Sequence, residues 1–136
     1  MRRRALFAYQ LLTGLSDAGT GILLILEPGF TLHLMRLHVA EDALPFLSFI
    51  GAFVLSTGVS CLFGAWLAGR HDVSQRLEMV WLLTALTRGL VAAFVLVSIL
   101  SNTLEFGWLT VAVSDGVLAV IQVIGLRKGW LSDDAV

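Results

Sequence analysis

Residues 77–100 read LEMVWLLTALTRGLVAAFVLVSIL, and Glu78 and Arg88 are the only charged side chains among them. The hydrocarbon core of a bilayer is about 30 Å thick, so a helix that rises about 1.5 Å per residue needs about 20 apolar residues to cross it. This segment is both long enough and apolar enough. It therefore predicts a transmembrane helix with an arginine near its middle.

Three further segments, at about residues 5–26, 44–68 and 106–126, have the same length and apolar character. Turn-forming residues separate the segments, as in Glu27-Pro28-Gly29 and Ser101-Asn102-Thr103. The composition agrees, since 57% of the 136 residues are hydrophobic and 14% are charged. So small a soluble protein could not bury that much apolar surface. We expect one all-α domain, residues 1–136, that folds as an integral membrane four-helix bundle within a lipid bilayer.

Positively charged residues predict the orientation in the membrane. On one side of the spans lie Arg2, Arg3, Arg4, Arg70, Arg76, Arg127 and Lys128. Only Arg36 lies in a loop on the other side. Because cytoplasmic loops are enriched in lysine and arginine, the N-terminus and the C-terminus are both expected to be cytoplasmic. The aromatic residues suit the two interfaces, with Trp108 near the outer boundary and, near the cytoplasmic one, Tyr9, Trp66, Trp81 and Trp130.

The loop between the first two spans contains a short helical pattern. Phe30, Leu34 and Leu37 recur at i, i+4 and i+7, which predicts a helix over residues 29–39 that lies on the membrane surface. An alternating pattern through Leu32, Leu34 and Val39 is the competing interpretation.

Small residues recur every four positions along the second span, at Ala52, Ser56, Ser60, Gly64 and Ala68. Shorter runs occur in the first and third spans, at Gly14 and Ala18 and at Ala85, Gly89 and Ala93. Small side chains let helix backbones approach closely in lipid. Two interpretations stay open, namely packing within one bundle and a homo-oligomer formed through the stripe on the second span.

Three charged residues, Asp17, Arg88 and Asp115, lie near the centres of their spans. On insertion scales each costs about 2.5–3.5 kcal/mol at that depth. We therefore expect them to face inward and to compensate one another. Two carboxylates and one guanidinium leave one negative charge over, so either one aspartate keeps its proton or a cation completes the centre.

Uncharged polar residues accompany these charges. Four of them lie one or two helical turns away, namely Gln10, Thr13, Thr84 and Gln122. Because the first and fourth spans run in opposite directions, all four are expected on the cytoplasmic side of the charges. We interpret the seven residues as one polar centre, which either fixes the helix arrangement or binds a ligand.

The residues available exclude several classes of site. The three histidines all lie in loops, at His33, His38 and His71, so none can hold haem between the spans. Cys61 is the single cysteine, which excludes an intramolecular disulfide and a cysteine-rich metal site. The net charge of −1 gives no basis for binding nucleic acid. We assign no catalytic residue, no metal and no cofactor.

Short motifs in or beside all four spans carry a resemblance to a known family. They are Leu26-Glu27-Pro28, residues 49–53 (FIGAF), residues 84–88 (TALTR), residues 113–116 (VSDG) and residues 126–129 (LRKG). Through them the chain resembles small bacterial four-helix membrane proteins that are DoxX-like. The resemblance implies a multi-pass protein of the cell inner (plasma) membrane. Some DoxX-like proteins are associated with quinone-linked redox complexes or act as accessory subunits, but this chain has no cysteine pair or haem ligand with which to handle electrons.

The leading hypothesis is a non-enzymatic membrane protein that binds a small or lipid-like ligand, or a partner protein, at the polar centre. The alternative is a proton- or cation-coupled transporter or channel, with Asp17 or Asp115 as the carrier. A third hypothesis is a membrane enzyme that acts on a lipid or quinone, with one of these aspartates as general acid or base.

Overall fold

The computed structural model describes residues 3–70 and 74–131, which fold into helices and connecting loops without a β-strand. Arg2 and His71, on which parts of the orientation and haem predictions rest, lie outside the described residues. The α-helices are α1 (Arg3–Leu26), α2 (Pro28–Leu34), α3 (Leu44–Ala68), α4 (Ser74–Leu100) and α5 (Leu109–Arg127). Single 3₁₀ turns, Glu41–Ala43 and Phe106–Trp108, precede α3 and α5.

Four of these helices, α1, α3, α4 and α5, are long enough and apolar enough to cross a membrane. Their bounds agree with the four predicted apolar segments to within a few residues at the ends. Many large apolar side chains remain exposed along all four helices. An apolar surface of this extent is stable only in an apolar solvent. The chain therefore has the make-up of an all-α, multi-pass membrane protein.

Helices α1 and α3 pack backbone against backbone. A methyl group at Gly58 would overlap the backbone nitrogen of Ala18, and one at Gly21 would overlap the backbone of Leu55. The residue number on α3 falls as the number on α1 rises, so the two helices are antiparallel. Small residues permit this close approach in lipid, where no hydrophobic force drives helices together.

The stripe of five small residues on α3, from Ala52 to Ala68, does not form one packing surface within the chain. Its residues pass from exposed Ala52 and Ser56 through half-buried Ser60 to buried Gly64 and Ala68. Positions four apart are rotated by about 40° on an α-helix, so a stripe of five turns through roughly 160°. The contact with α1 instead uses Gly51 and Gly58, because a seven-residue spacing rotates by only about 20°. An oligomer formed through the exposed half of the stripe stays a prediction.

Helix α4 packs along α5 and touches α3 less extensively. A methyl group at Gly125 of α5 would overlap the indole ring of Trp81 on α4. The small-residue run of α4 lies only partly in a helix interface, since Ala85 is buried and Ala93 is exposed. Within the described ranges, α1 approaches neither α4 nor α5 as closely as it approaches α3. Side chains rather than backbones therefore connect α1 to α4 and α5.

Trp81 lies in an apolar cluster at one end of the helices, with Leu6, Leu67, Ala68, Leu77 and Leu131. It is completely buried, so its prediction as an aromatic residue of the membrane interface is wrong. The preference of aromatic residues for the membrane interfaces concerns only their depth in the membrane. Trp81 lies on the inward face of α4, together with Thr84 and Arg88. Trp66 does face outward, where its ring lies 3.9 Å from the guanidinium carbon of Arg70.

The helix in the loop between α1 and α3 is shorter than predicted. It ends at Leu34, and Arg36 adopts a positive φ of 56°. The backbone N–H of Leu37 donates to the carbonyl of Leu32 at 2.9 Å, which is the reversal of a Schellman C-cap. Leu37 consequently turns into a second apolar cluster with Leu32 and is buried. Its predicted place on one helix face with Phe30 and Leu34 is therefore wrong.

Candidate functional site

Arg88, in the middle of α4, forms ion pairs with carboxylates from two other helices. Its Nη2 donates a hydrogen bond to Oδ2 of Asp17 on α1. Its Nη1 donates one to Oδ1 of Asp115 on α5 at 2.7 Å. A planar guanidinium suits this role, because its N–H groups point in fixed directions that two carboxylates can share. One side chain thus ties three helices together at one level.

The three charges differ in how far they are exposed. The side chain of Arg88 is 3% exposed, whereas those of Asp17 and Asp115 are 19% and 21% exposed. Each ion pair uses one carboxylate oxygen, so Oδ1 of Asp17 and Oδ2 of Asp115 lie outside the two ion pairs. The two aspartate side chains are therefore more accessible than the side chain of Arg88.

Burial makes the centre costly to disturb. Moving charges out of water is expensive, and their mutual attraction offsets that cost only when the geometry is good. Removing one partner of a buried ion pair typically costs about 3–5 kcal/mol, because the charge left behind has no partner. Arg88 holds carboxylates on both α1 and α5, so the positions of these two helices at this depth depend on it.

A second polar level lies one helical turn from Arg88, toward Trp81. Nε2 of Gln122 donates a hydrogen bond to Oγ1 of Thr84 at 2.8 Å, which joins α5 to α4. The Thr84 hydroxyl in turn donates to the backbone carbonyl of Val80 at 2.7 Å. The Thr84 hydroxyl therefore donates one hydrogen bond within α4 and accepts another from α5.

The two predicted residues of α1 are placed differently. Gln10 is completely buried against α3, where a methyl group at Gly64 would lie 2.7 Å from its Nε2. Neither polar atom of its amide has a hydrogen-bond partner among the described residues. The Thr13 hydroxyl donates to the backbone carbonyl of Tyr9 at 2.8 Å, within its own helix. Among the described residues, the structure thus brings Asp17, Arg88 and Asp115 into contact and joins Thr84 to Gln122, and Gln10 and Thr13 take no part in these three hydrogen bonds.

Three further residues lie close to the centre but were not predicted to belong to it, namely Tyr9, Cys61 and Trp81. The rings of Tyr9 and Trp81 pack with their centroids 5.3 Å apart. Cys61, buried on α3, lies close to Arg88. A signal for Trp81 was available, because Trp81, Thr84 and Arg88 recur at i, i+3 and i+7 and so share one helix face.

The centre consists of two carboxylates, which accept hydrogen bonds, beside the enclosed guanidinium of Arg88. Among residues 3–70 and 74–131, no group of three or more His, Cys, Asp or Glu side chains is placed to hold a metal ion. Comparison of the chain with protein-family models, with curated proteins and with solved structures found no match. Function is therefore inferred from these residues and their surroundings.

Proposed function

We propose that this protein is a four-helix bundle of the bacterial inner membrane that binds a small amphipathic ligand through a cationic group. Both termini lie in the cytoplasm, and the ligand is bound without being chemically changed. The binding site is the centre formed by Asp17, Arg88 and Asp115. One observation carries the proposal: the Arg88 side chain is only 3% exposed, whereas the Asp17 and Asp115 side chains are 19% and 21% exposed.

The charge of the centre supports a cationic ligand. Arg88 balances one of the two carboxylates, and the charge left over lies near mid-span, where an uncompensated charge is costly. An ammonium group would restore neutrality. It would also donate hydrogen bonds to the oxygens of Asp17 and Asp115 that lie outside the ion pairs. An anionic ligand would be repelled by the same oxygens.

The helix arrangement supports entry from the lipid. Close backbone packing runs from α1 to α3, from α3 to α4 and from α4 to α5. In the described part of the chain, α1 and α5 do not approach each other as closely. Because Asp17 belongs to α1 and Asp115 to α5, a head group can contact both aspartates while its apolar tail stays in the lipid between the two helices.

The distribution of basic residues supports the orientation. Leu6, Leu67, Leu77 and Leu131 pack together, so the start of α1, the end of α3, the start of α4 and the end of α5 share one end of the molecule. The basic residues exposed at this end include Arg4, Arg70, Arg127 and Lys128. Arg36 is exposed in the loop between α1 and α3, at the opposite end. By the positive-inside rule, the end with more basic residues faces the cytoplasm.

A pair of amphiphiles with opposite charge tests the proposal. The protein in lipid nanodiscs is titrated calorimetrically with octylammonium or octanoate, both below their micellar concentrations, and protein-free nanodiscs serve as the blank. We expect saturable binding of octylammonium and none of octanoate. Asp17→Asn and Asp115→Asn should each weaken octylammonium binding about tenfold or more, because a hydrogen-bonded charge is lost.

Glu105→Gln is the matched control, since Glu105 is an exposed carboxylate in the loop before α5. This variant should bind octylammonium as the wild type does. The proposal would be contradicted if octylammonium released the same heat with the protein as with protein-free nanodiscs. It would also be contradicted if octanoate bound as strongly as octylammonium.

The uncompensated carboxylate also favours a second candidate, a proton- or cation-coupled transporter or channel. Ionisable residues inside membrane spans often mark ion pathways, and each aspartate here has an oxygen that can take up a proton or a cation. Under this candidate, proteoliposomes should support a flux of H⁺, Na⁺ or K⁺ that Asp115→Asn abolishes. Wild-type fluxes no greater than those of protein-free liposomes would exclude it for these ions.

A further inference from the structure

Several polar atoms between Arg88 and the apolar cluster around Trp81 are buried without partners. Among the described residues they are Oη of Tyr9, Nε2 and Oε1 of Gln10, Nε1 of Trp81, Nε of Arg88 and Oε1 of Gln122. Gln10, Trp81 and Gln122 are completely buried. We refer to Tyr9, Gln10, Trp81 and Gln122 as the glutamine layer.

The members of the glutamine layer lie at one level on three helices. The rings of Tyr9 and Trp81 are in contact, which joins α1 to α4. Gln10 of α1 and Val80 of α4 both lie beside Gly64, and Val80 directly precedes Trp81. Gln122 of α5 is hydrogen-bonded to α4 one turn beyond Trp81. The residues that carry the unpartnered atoms therefore lie at one level of α1, α4 and α5.

The protein closes this layer on both sides along the helices. On one side the apolar cluster packs around Trp81, with Leu6, Leu67, Leu77 and Leu131. On the other side Arg88 bridges Asp17 and Asp115. A molecule held in the layer would lie between these two boundaries along the helices. The unpartnered groups of the layer itself are neutral, so that molecule should be neutral as well.

We propose that the glutamine layer is a binding site for internal water molecules. Polar groups buried at membrane depth cannot turn to bulk solvent, and each one left unpaired weakens the fold. Water both donates and accepts hydrogen bonds, so it can serve the N–H groups of Gln10 and Trp81 and the amide oxygens of both glutamines. It also pairs Nε of Arg88, the guanidinium nitrogen that the two ion pairs do not use.

This hydration is independent of the proposed ligand site, since the ligand contacts the opposite side of Arg88 through the carboxylates. The waters hold the enclosed guanidinium in a polar surrounding whether or not a ligand is present. Failure of octylammonium to bind therefore leaves the hydration intact, and a dry glutamine layer leaves the ligand proposal intact.

Water-edited solid-state NMR of the wild-type protein in lipid bilayers tests the site directly. The protein is labelled uniformly with ¹⁵N, and the Trp81 indole signal is assigned by its loss in Trp81→Phe. We expect magnetisation to pass from water to the Trp81 indole proton at short mixing times. The exposed indole of Trp66 is the positive control, and the backbone amide of buried Val95 is the dry control. A Trp81 signal that builds up no faster than that of Val95 overturns the proposal.

The variant Gln10→Met gives a second readout, because methionine has a similar shape and removes both polar atoms of the amide. If the layer holds water, the change removes partners from that water, so the Trp81 transfer and the unfolding midpoint should both fall. If the layer is dry, the change removes two unpaired groups and the midpoint should rise, which overturns the proposal. Gln75→Met, at an exposed position of α4, is the matched control and should leave both unchanged.

Discussion

Nη1 of Arg88 lies 2.7 Å from Oδ1 of Asp115, so a charged contact joins α4 to α5 at mid-span in addition to their packing. The same guanidinium reaches Asp17 on α1 through its other terminal nitrogen. Two carboxylates therefore depend on one cation. The stability of the arrangement should respond very differently to the loss of the cation and to the loss of one carboxylate.

Arg88→Met should destabilise the protein by about 3–5 kcal/mol, because it leaves two carboxylates at one level without a cation. Asp17→Asn should cost less, since Arg88 and Asp115 then remain as a balanced pair. Unfolding of the purified variants in mild detergent, followed by circular dichroism, measures the difference. Adding Asp17→Asn and Asp115→Asn to Arg88→Met should recover much of the loss. An Arg88→Met variant as stable as the wild type would show that the carboxylates do not need the guanidinium.

Gly58→Ala should destabilise the contact between α1 and α3 by about 1–3 kcal/mol, because the new methyl group overlaps the backbone of Ala18. Gly19→Ala is the matched control, since a methyl group there meets nothing within 4 Å. The control should be neutral or slightly stabilising, because alanine is the better helix former. The same unfolding assay applies, and equal effects of the two substitutions would contradict the backbone contact.

Thr84→Val should cost about 1 kcal/mol, which is typical of a hydrogen bond between helices in a membrane protein. It removes the acceptor of the Gln122 amide. Thr87→Val is the control, because the exposed Thr87 hydroxyl donates to the carbonyl of Leu83 in its own helix. This change should alter the free energy of unfolding by less than about 0.5 kcal/mol. In a double-mutant cycle, Gln122→Met should add little once Thr84 is replaced; additive losses would mean that the two residues act separately.

The proposed orientation predicts which cysteines react from outside an intact cell. In a Cys61→Ala background, Asn102→Cys in the loop between α4 and α5 should be labelled by a membrane-impermeant maleimide. Lys128→Cys, after α5, should be labelled only when the membrane is permeabilised. The opposite pattern would reverse the orientation and with it the cytoplasmic placement of both termini.

The four spans could be predicted because length and apolar content are local properties of each segment. Asp17, Arg88 and Asp115 could be found for a related reason, since a charged residue within an apolar run is costly and therefore conspicuous. Length, apolar content and buried charge do not fix the rotation of a helix about its axis. The inward direction of Trp81 depends on that rotation, so its depth alone led to a wrong prediction. The contact of α3 with α1 through Gly51 and Gly58, which are seven residues apart, depends on it too, so the small residues at four-residue spacing did not predict it.

The exposure of the charges was also beyond sequence reasoning. It depends on how closely neighbouring helices approach, and that is set by residues on several segments at once. Leu37 illustrates the same limit on a smaller scale. A single backbone reversal at Arg36 directs its side chain into an apolar cluster, although the helical pattern continues through it.

The backbone contact between α1 and α3 and the ion pair between Arg88 and Asp17 should differ in stiffness. Two backbones in contact resist displacement at once, whereas a long arginine side chain can extend or rotate before its end is pulled away. A change in the spacing of the helices should therefore alter the surroundings of Asp17 before it alters those of Gly58. An isotope-labelled carboxyl group at Asp17 would then serve as an early spectroscopic reporter of movement within the membrane.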